Sequence, residues 1–230
     1  ISWKNYWTTS SSLELFPKLF FNNQGTKSLN IGNFFTDAAA GTLPAYSFVE
    51  PDYGNQSEEN PQNIAVGEEF SAKVINAVIN GPDWDRTLLI LTYDEHGGYY
   101  DHVPPPAAIA PDSIGPILVP GENGFDGFNR YGFRVPFAIV SPWARRHYVS
   151  HQVFDHTSIL KLVQTKWNLP ALTFRDANAT PMLDMLDLRH PHFAEPPQLA
   201  QPLAVTDPTA LACSVNGPGT IPPVGSVTPD

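Results

Sequence analysis

From Thr87 to Tyr93 the chain reads Thr-Leu-Leu-Ile-Leu-Thr-Tyr, an apolar run without alternation. Such a run predicts a strand covered on both faces, as in the parallel sheets of layered α/β proteins. It follows a stretch from Glu68 to Asn80 in which Phe70, Val74, Ala77 and Val78 share one helical face, and Gly81-Pro82 ends that helix. Helix then buried strand predicts an α/β architecture with a mainly parallel sheet. The strand runs directly into Asp94-Glu95-His96-Gly97-Gly98. In open α/β sheets, ligands bind beyond the carboxyl ends of the strands, so this turn is the first place to look for chemistry.

Other segments fit the same class. Val135 to Val140 predicts a second buried strand ended by Ser141-Pro142, and Leu43 to Val49 predicts a further strand. Asp155-His156-Thr157-Ser158 predicts a capped start for a helix running from about Ile159 to Trp167. Phe34 to Ala40 predicts a helix turn capped by Gly41. Leu13, Phe16, Leu19 and Phe20 recur at helical spacing around Pro17, which predicts a short interrupted helix. Glu50 to Gly67 and Tyr99 to about Tyr131 predict long loops, a length that is often functional. From Glu195 to Asp230 the chain loses periodicity and gains proline, predicting an extended tail.

Composition narrows the function. A net charge of −10 argues against nucleic acid as a partner, because phosphate backbones demand a surplus of Lys and Arg. No apolar run is long enough for a membrane-spanning helix. The single Cys213 excludes an internal disulfide framework and a multi-cysteine zinc site, and it has no base beside it in sequence.

Asp94, Glu95, His96, Asp101 and His102 crowd into one short stretch. Two carboxylates with nearby imidazoles are the donors a divalent cation takes, and Gly97-Gly98 offers a turn that brings both carboxylates towards one point. The same residues also read as a polar surface turn. Glu50-Pro51-Asp52 reads first as turn chemistry, although it follows a strand and could add carboxylates to the sheet edge. His156 sits at a helix start, where it either donates to an anion or lies on the surface while Asp155 caps. His147, His151, His190 and His192 read as solvated. Arg134, Arg145 and Arg146 flank the second strand and read as partners in structural ion pairs before phosphate ligands.

Several blocks occur together and in order. Tyr93 to Gly98 continues through Tyr100-Asp101-His102-Val103-Pro104. Gly132 to Pro136, Ser141 to Arg145, Asp155 to Leu160, Lys166 to Pro170 and Arg175-Asp176-Ala177 follow, with Phe34-Phe35 and Leu43 to Val49 upstream. This series resembles the phosphoesterase family of phosphatidylcholine-type phospholipases C, which includes an acid phosphatase branch, from Ile1 to about Leu188. The resemblance implies an alkaline-phosphatase-like αβα sandwich with metal at the strand ends. It implies that Asp94 and Glu95 are ligands of a divalent metal ion, and that His96, His102 and His156 sit near the phosphate or the leaving group. The implied reaction is metal-dependent hydrolysis of phosphate esters, phospholipids or simple monoesters, by a Ser or Thr attacking phosphorus, with contact to a membrane surface and a secreted or periplasmic location.

The chain departs from the family pattern in two ways. It contains no Glu-Asn-Arg-Ser-Phe-Asp block, and the region expected to hold the nucleophile is absent. The chain also opens at Ile1 rather than Met. These features lead to the expectation that residues 1–194 are the C-terminal part of a catalytic domain, incomplete on its N-terminal side. Where relatives carry an Asp-Asp-His-Pro-like run, this chain has Glu58-Glu59-Asn60-Pro61. Asn does not transfer protons as His does, so the leaving-group step is weakened or passes to another residue such as His102. The competing reading is a non-catalytic phosphoester-binding module that keeps the fold and the anion pocket.

Overall fold

The computed structural model describes residues 1–59, 62–117, 127–202, 204 and 206. Residues 1–87, with the described part of the chain from Pro196, form one compact unit, and Leu88–Glu195 form a second. Asn60, the expected family departure, and most of the proline-rich tail lie outside the described residues.

The first unit is built on a three-stranded parallel sheet. Its central strand β1 (Trp3–Trp7) is flanked by β2 (Ser28–Asn30) and β3 (Tyr46–Val49). Parallel neighbours need crossovers, and helices supply them. Helix α1 (Pro17–Asn23) lies between β1 and β2, and α2 (Ile31–Ala40) lies between β2 and β3. Pro17 stands in the first turn of α1, where its missing N–H costs nothing, so the proline that seemed to interrupt a helix starts one. Helix α2 begins at the side chain of Asn30 and ends at Gly41, whose φ of 66° is the left-handed cap conformation. The β1 and β2 strands were not legible beforehand. Trp3-Lys4-Asn5-Tyr6-Trp7 mixes polar and aromatic residues, and its polar Asn5 is buried.

The apolar core of this unit gathers Tyr6, Phe20, Phe34, Ala38, Val78, Ile79 and Trp84. Tyr6 and Phe34 meet edge to face at 5.5 Å and fasten α2 to the central strand. Helix α3 (Ile64–Ile79) adds Val78 and Ile79. It starts four residues before the Glu68 start expected from the sequence, because Asn63 caps it through Ala65 N–H at 3.0 Å. Gly67, a weak helix former, had obscured that first turn.

The second unit holds β4 (Leu89–Thr92) antiparallel to β5 (Phe137–Val140). All four β4 residues are half-buried, so the strand is not covered on both faces as the apolar run suggested. Among the described residues it pairs only with β5, which leaves one of its edges outside the ladder. Helix α4 (His156–Trp167) and helix α5 (Phe174–Asn178) complete the unit. The core here is small and partly polar: Ala144, Met182 and Leu186 with Ser141, Ser158, Gln164 and Asp176. The α/β class holds, and the parallel sheet with its helices is consistent with an alkaline-phosphatase-like sandwich.

Candidate functional site

Strand β4 ends at Thr92 and hands the chain to Tyr93, whose N–H donates to the Pro136 carbonyl at 3.3 Å. The strand end is thereby fastened to the segment that leads into β5. Asp94 and Glu95 follow and both are exposed. Gly97 (φ 65°) and Gly98 (φ 77°) then turn the chain back through a conformation that a Cβ disfavours. Inside this turn His96 donates from Nδ1 to the Tyr99 carbonyl at 2.9 Å, and its ring meets Phe133 edge to face at 4.8 Å. With Nδ1 committed to a carbonyl, Nε2 is the nitrogen left for a ligand.

His156 reaches the same strand end from a different element. It is the first residue of α4, and Asp155 caps that helix by accepting from Thr157 Oγ1 at 2.6 Å and Ser158 N–H at 3.2 Å. The Ser158 hydroxyl in turn accepts from Asp155 N–H, which closes a capping box. His156 Nε2 donates to the Tyr93 carbonyl at 2.8 Å. One hydrogen bond therefore ties the N-terminus of α4 to the residue immediately before Asp94, and Nδ1 remains for other contacts.

His102 is placed differently. Its side chain is 81% exposed, and its Nδ1 lies 3.7 Å from Asp101 Oδ1. Asp101 itself is occupied elsewhere. Its Oδ1 accepts from Arg134 Nη2 at 2.8 Å and Val103 N–H at 3.0 Å, and its Oδ2 accepts from Arg134 Nε at 2.8 Å and Arg134 N–H at 3.1 Å. The Arg134 guanidinium, with the Val103 and Arg134 amides, holds the Asp101 carboxyl well below the usual carboxylate range. Arg134 is thus the ion-pair partner its sequence position suggested. Together with His96, Tyr99, Tyr100, Val135 and Pro136 the pair lines an open cleft of about 430 Å³ beside the Asp94 turn.

Asp94 and Glu95 offer the hard oxygen donors that a divalent cation takes. Among the described residues, however, no three His, Cys, Asp or Glu side chains come together as a metal-holding group. The two carboxylates fit a metal only as part of a larger donor shell.

Two carboxylates organise hydrogen-bond networks in the first unit. Glu50, at the end of β3, is 1% exposed. It accepts from the Asn5 amide, from Ser12 N–H at 2.8 Å and from Tyr53 Oη at 2.9 Å. This buried network pins the connections after β1 and β3 together, whereas Asp52 makes the turn contacts expected of it, accepting from Gly54 N–H at 3.0 Å. Asp37 accepts from Lys4 Nζ at 2.5 Å and Tyr6 Oη at 2.6 Å. Burial alone would raise the Asp37 carboxyl, but those donors outweigh it and hold it below its ordinary value. The only available signal for Glu50 was indirect: small polar residues, Asn5, Ser11 and Ser28, in positions where an apolar core would otherwise stand.

The sequence model of the phosphoesterase family matches residues 2–170. Phospholipase C A of Mycobacterium tuberculosis is 33% identical over 196 residues, covering 80% of this chain and 37% of the relative. Non-specific phospholipase C1 of Arabidopsis thaliana is 38% identical over 160 residues, covering 63% of this chain and 30% of its own length. Non-specific phospholipase C6 of the same plant is 34% identical over 197 residues, covering 76% and 37%. The chain therefore spans about a third of the length of the curated relatives it matches.

Proposed function

Because this chain belongs to the phosphoesterase family, we propose that it is part of a hydrolase of phosphate esters, acting as a phospholipase C on phospholipids. The relatives named as phospholipases C support the substrate class. The observation that carries the reading is the turn after β4, where Asp94 and Glu95 project beyond a strand end that His156 grips through the Tyr93 carbonyl. Carboxylates at a strand terminus, next to a helix N-terminus that favours anions, suit a phosphoryl group.

In this reading Asp94 and Glu95 would hold a divalent cation as two members of a larger donor set. Such a cation supplies positive charge against the phosphoryl oxygens. His96, with Nδ1 fixed by the Tyr99 carbonyl, presents Nε2 for proton transfer or for a hydrogen bond to substrate. His156 orders the strand end through the Tyr93 carbonyl and leaves Nδ1 as an acceptor for a protonated oxygen of the substrate or leaving group. His102, exposed beside Asp101, serves the leaving group. No helix among the described residues is long and apolar enough to cross a membrane. Phospholipid is met at a membrane surface, and the setting is secreted or periplasmic, as the resemblance to the family implies.

The test is hydrolysis of phosphatidylcholine and of p-nitrophenyl phosphate by the full-length protein, before and after chelation. Asp94→Asn and Glu95→Gln are expected to lower the rate by about a hundredfold or more, as is usual when charge stabilisation at a reacting centre is lost. Full rate in both variants overturns the assignment. Binding of both esters without turnover of either selects the binding-module reading instead.

A further inference from the structure

The cleft beside the Asp94 turn contains a guanidinium that is held rigidly and only half used. Asp101 grips Arg134 from its side, through Nε and Nη2. A third bond, from the Arg134 backbone N–H to the same carboxylate, locks the side chain against its own main chain. Arginine carries five N–H donors in a planar fork. The side-on grip leaves the end-on edge, made of Nη1 and the second Nη2 hydrogen, without an acceptor among the described residues. The side chain is 62% exposed, whereas that of Asp101 is 10% exposed. The carboxylate is therefore the buried half of the pair and the guanidinium side chain the exposed half, lining the cleft.

The chemistry of that edge is specific. Two parallel N–H groups match two oxygens of a phosphoryl group or a carboxylate, with more directional demand than an ammonium imposes. Within the cleft the charged or titratable side chains are His96, Tyr99, Tyr100, Asp101 and Arg134. Both oxygens of Asp101, the carboxylate in the lining, are already filled by Arg134 and Val103 donors. The cleft also shares its wall with the candidate reaction centre. Pro136 lines it, and the Pro136 carbonyl is the acceptor of Tyr93 N–H one residue before Asp94. Tyr99 and Tyr100, both exposed, also line it.

We infer that this cleft is an oxyanion-recognition subsite for the phosphoryl group of the substrate or product, with Arg134 as the recognising residue and Asp101 as the residue that positions it. The inference rests on the proposed phosphoester chemistry for the identity of the anion, but its test does not require turnover. Calorimetric titration of the full-length protein with inorganic phosphate, and separately with a short-chain phosphatidylcholine below its micellar concentration, reads the site directly. Arg134→Gln is expected to weaken phosphate binding by about tenfold or more, since it removes a charge-assisted fork. Arg134→Lys keeps the charge and an ion pair with Asp101 but loses the fork, and should fall between the two. Asp101→Asn leaves Arg134 in place but unheld, and is expected to weaken phosphate binding by about threefold to tenfold. If Arg134→Gln does not fold, Arg134→Lys carries the same comparison.

The two ligands separate the possible sources of the anion. Arg134-dependent binding of inorganic phosphate means that the phosphoryl group alone suffices. Arg134-dependent binding of the short-chain lipid alone means that the headgroup is required. Wild-type affinity for both ligands in Arg134→Gln, or no binding of either by the wild-type protein, overturns the inference. Absence of ester hydrolysis with Arg134-dependent phosphate binding overturns the hydrolase reading and leaves the subsite standing.

Discussion

Asp176 is a stringent test of how the second unit is held together. The residue is 1% exposed and lies in the short helix α5. Its Oδ2 accepts from Gln164 Nε2 at 2.5 Å and Leu172 N–H at 2.8 Å, and its Oδ1 accepts from Thr173 N–H at 2.6 Å and from the Thr173 hydroxyl. One carboxylate thus joins α4 to the start of α5. Asp176→Asn keeps one acceptor oxygen and replaces the other by an NH2 that faces donors. Gln164 can turn its amide and Thr173 can rotate its hydroxyl, but a backbone N–H cannot adapt. One buried backbone donor is left unpaired, at about 1–3 kcal/mol, and the surviving bonds lose their charge assistance. The expected loss is about 3 kcal/mol, or about 6–12 °C in Tm for a chain of this size. Urea unfolding at pH 7 measures it. Acid provides a second arm. Burial would raise the Asp176 carboxyl, yet the converging donors hold it well below the usual range. A depressed carboxylate contributes its full stability above the unfolded pKa of about 4 and loses it as pH falls towards the folded value. The wild-type protein should therefore lose more stability than Asp176→Asn between pH 5 and the acid limit. A variant within about 1 kcal/mol of wild type at pH 7, with an unchanged acid limb, would refute the reasoning.

Three further outcomes are expected. Gly41→Ala places a side chain at φ 66° with its Cβ 2.8 Å from Pro82 Cγ, and should cost about 1–2 kcal/mol in thermal unfolding, where a helix-propensity argument alone predicts a gain. Tyr6→Phe removes the hydroxyl that donates to Asp37, and should cost about 2 kcal/mol in urea unfolding because the lost bond is to a charged acceptor in a half-buried site. Asp155→Ala uncaps α4 and should cost about 1 kcal/mol, with faster hydrogen exchange at Ser158 N–H and a severalfold lower rate of ester hydrolysis as His156 loses its anchor on Tyr93; unchanged exchange would remove Asp155 from this role.

The sequence by itself determined the local structure wherever the physics is local. Gly41 ended a helix because only a residue without a Cβ enters the left-handed cap readily, and Asp155 opened one because its side chain reaches the free amides of the next turn. The apolar run before Asp94 marked a strand, and the ordered blocks from Tyr93 to Pro170 marked the family. Tertiary structure decided what depends on partners distant in sequence. Trp3–Trp7 became the centre of a sheet because β2 and β3 pair along its two edges, which no periodicity in those five residues announces. Glu50 became a buried hub because Asn5, Ser12 and Tyr53 converge on it from three segments. Strand β4 proved half-buried and antiparallel to β5, since an apolar composition permits burial on both faces without requiring it. The site shows the same division. Asp94, Glu95 and His96 are neighbours by sequence, whereas the Asp101 grip on Arg134 and the His156 bond to the Tyr93 carbonyl exist only because distant segments fold onto one strand end.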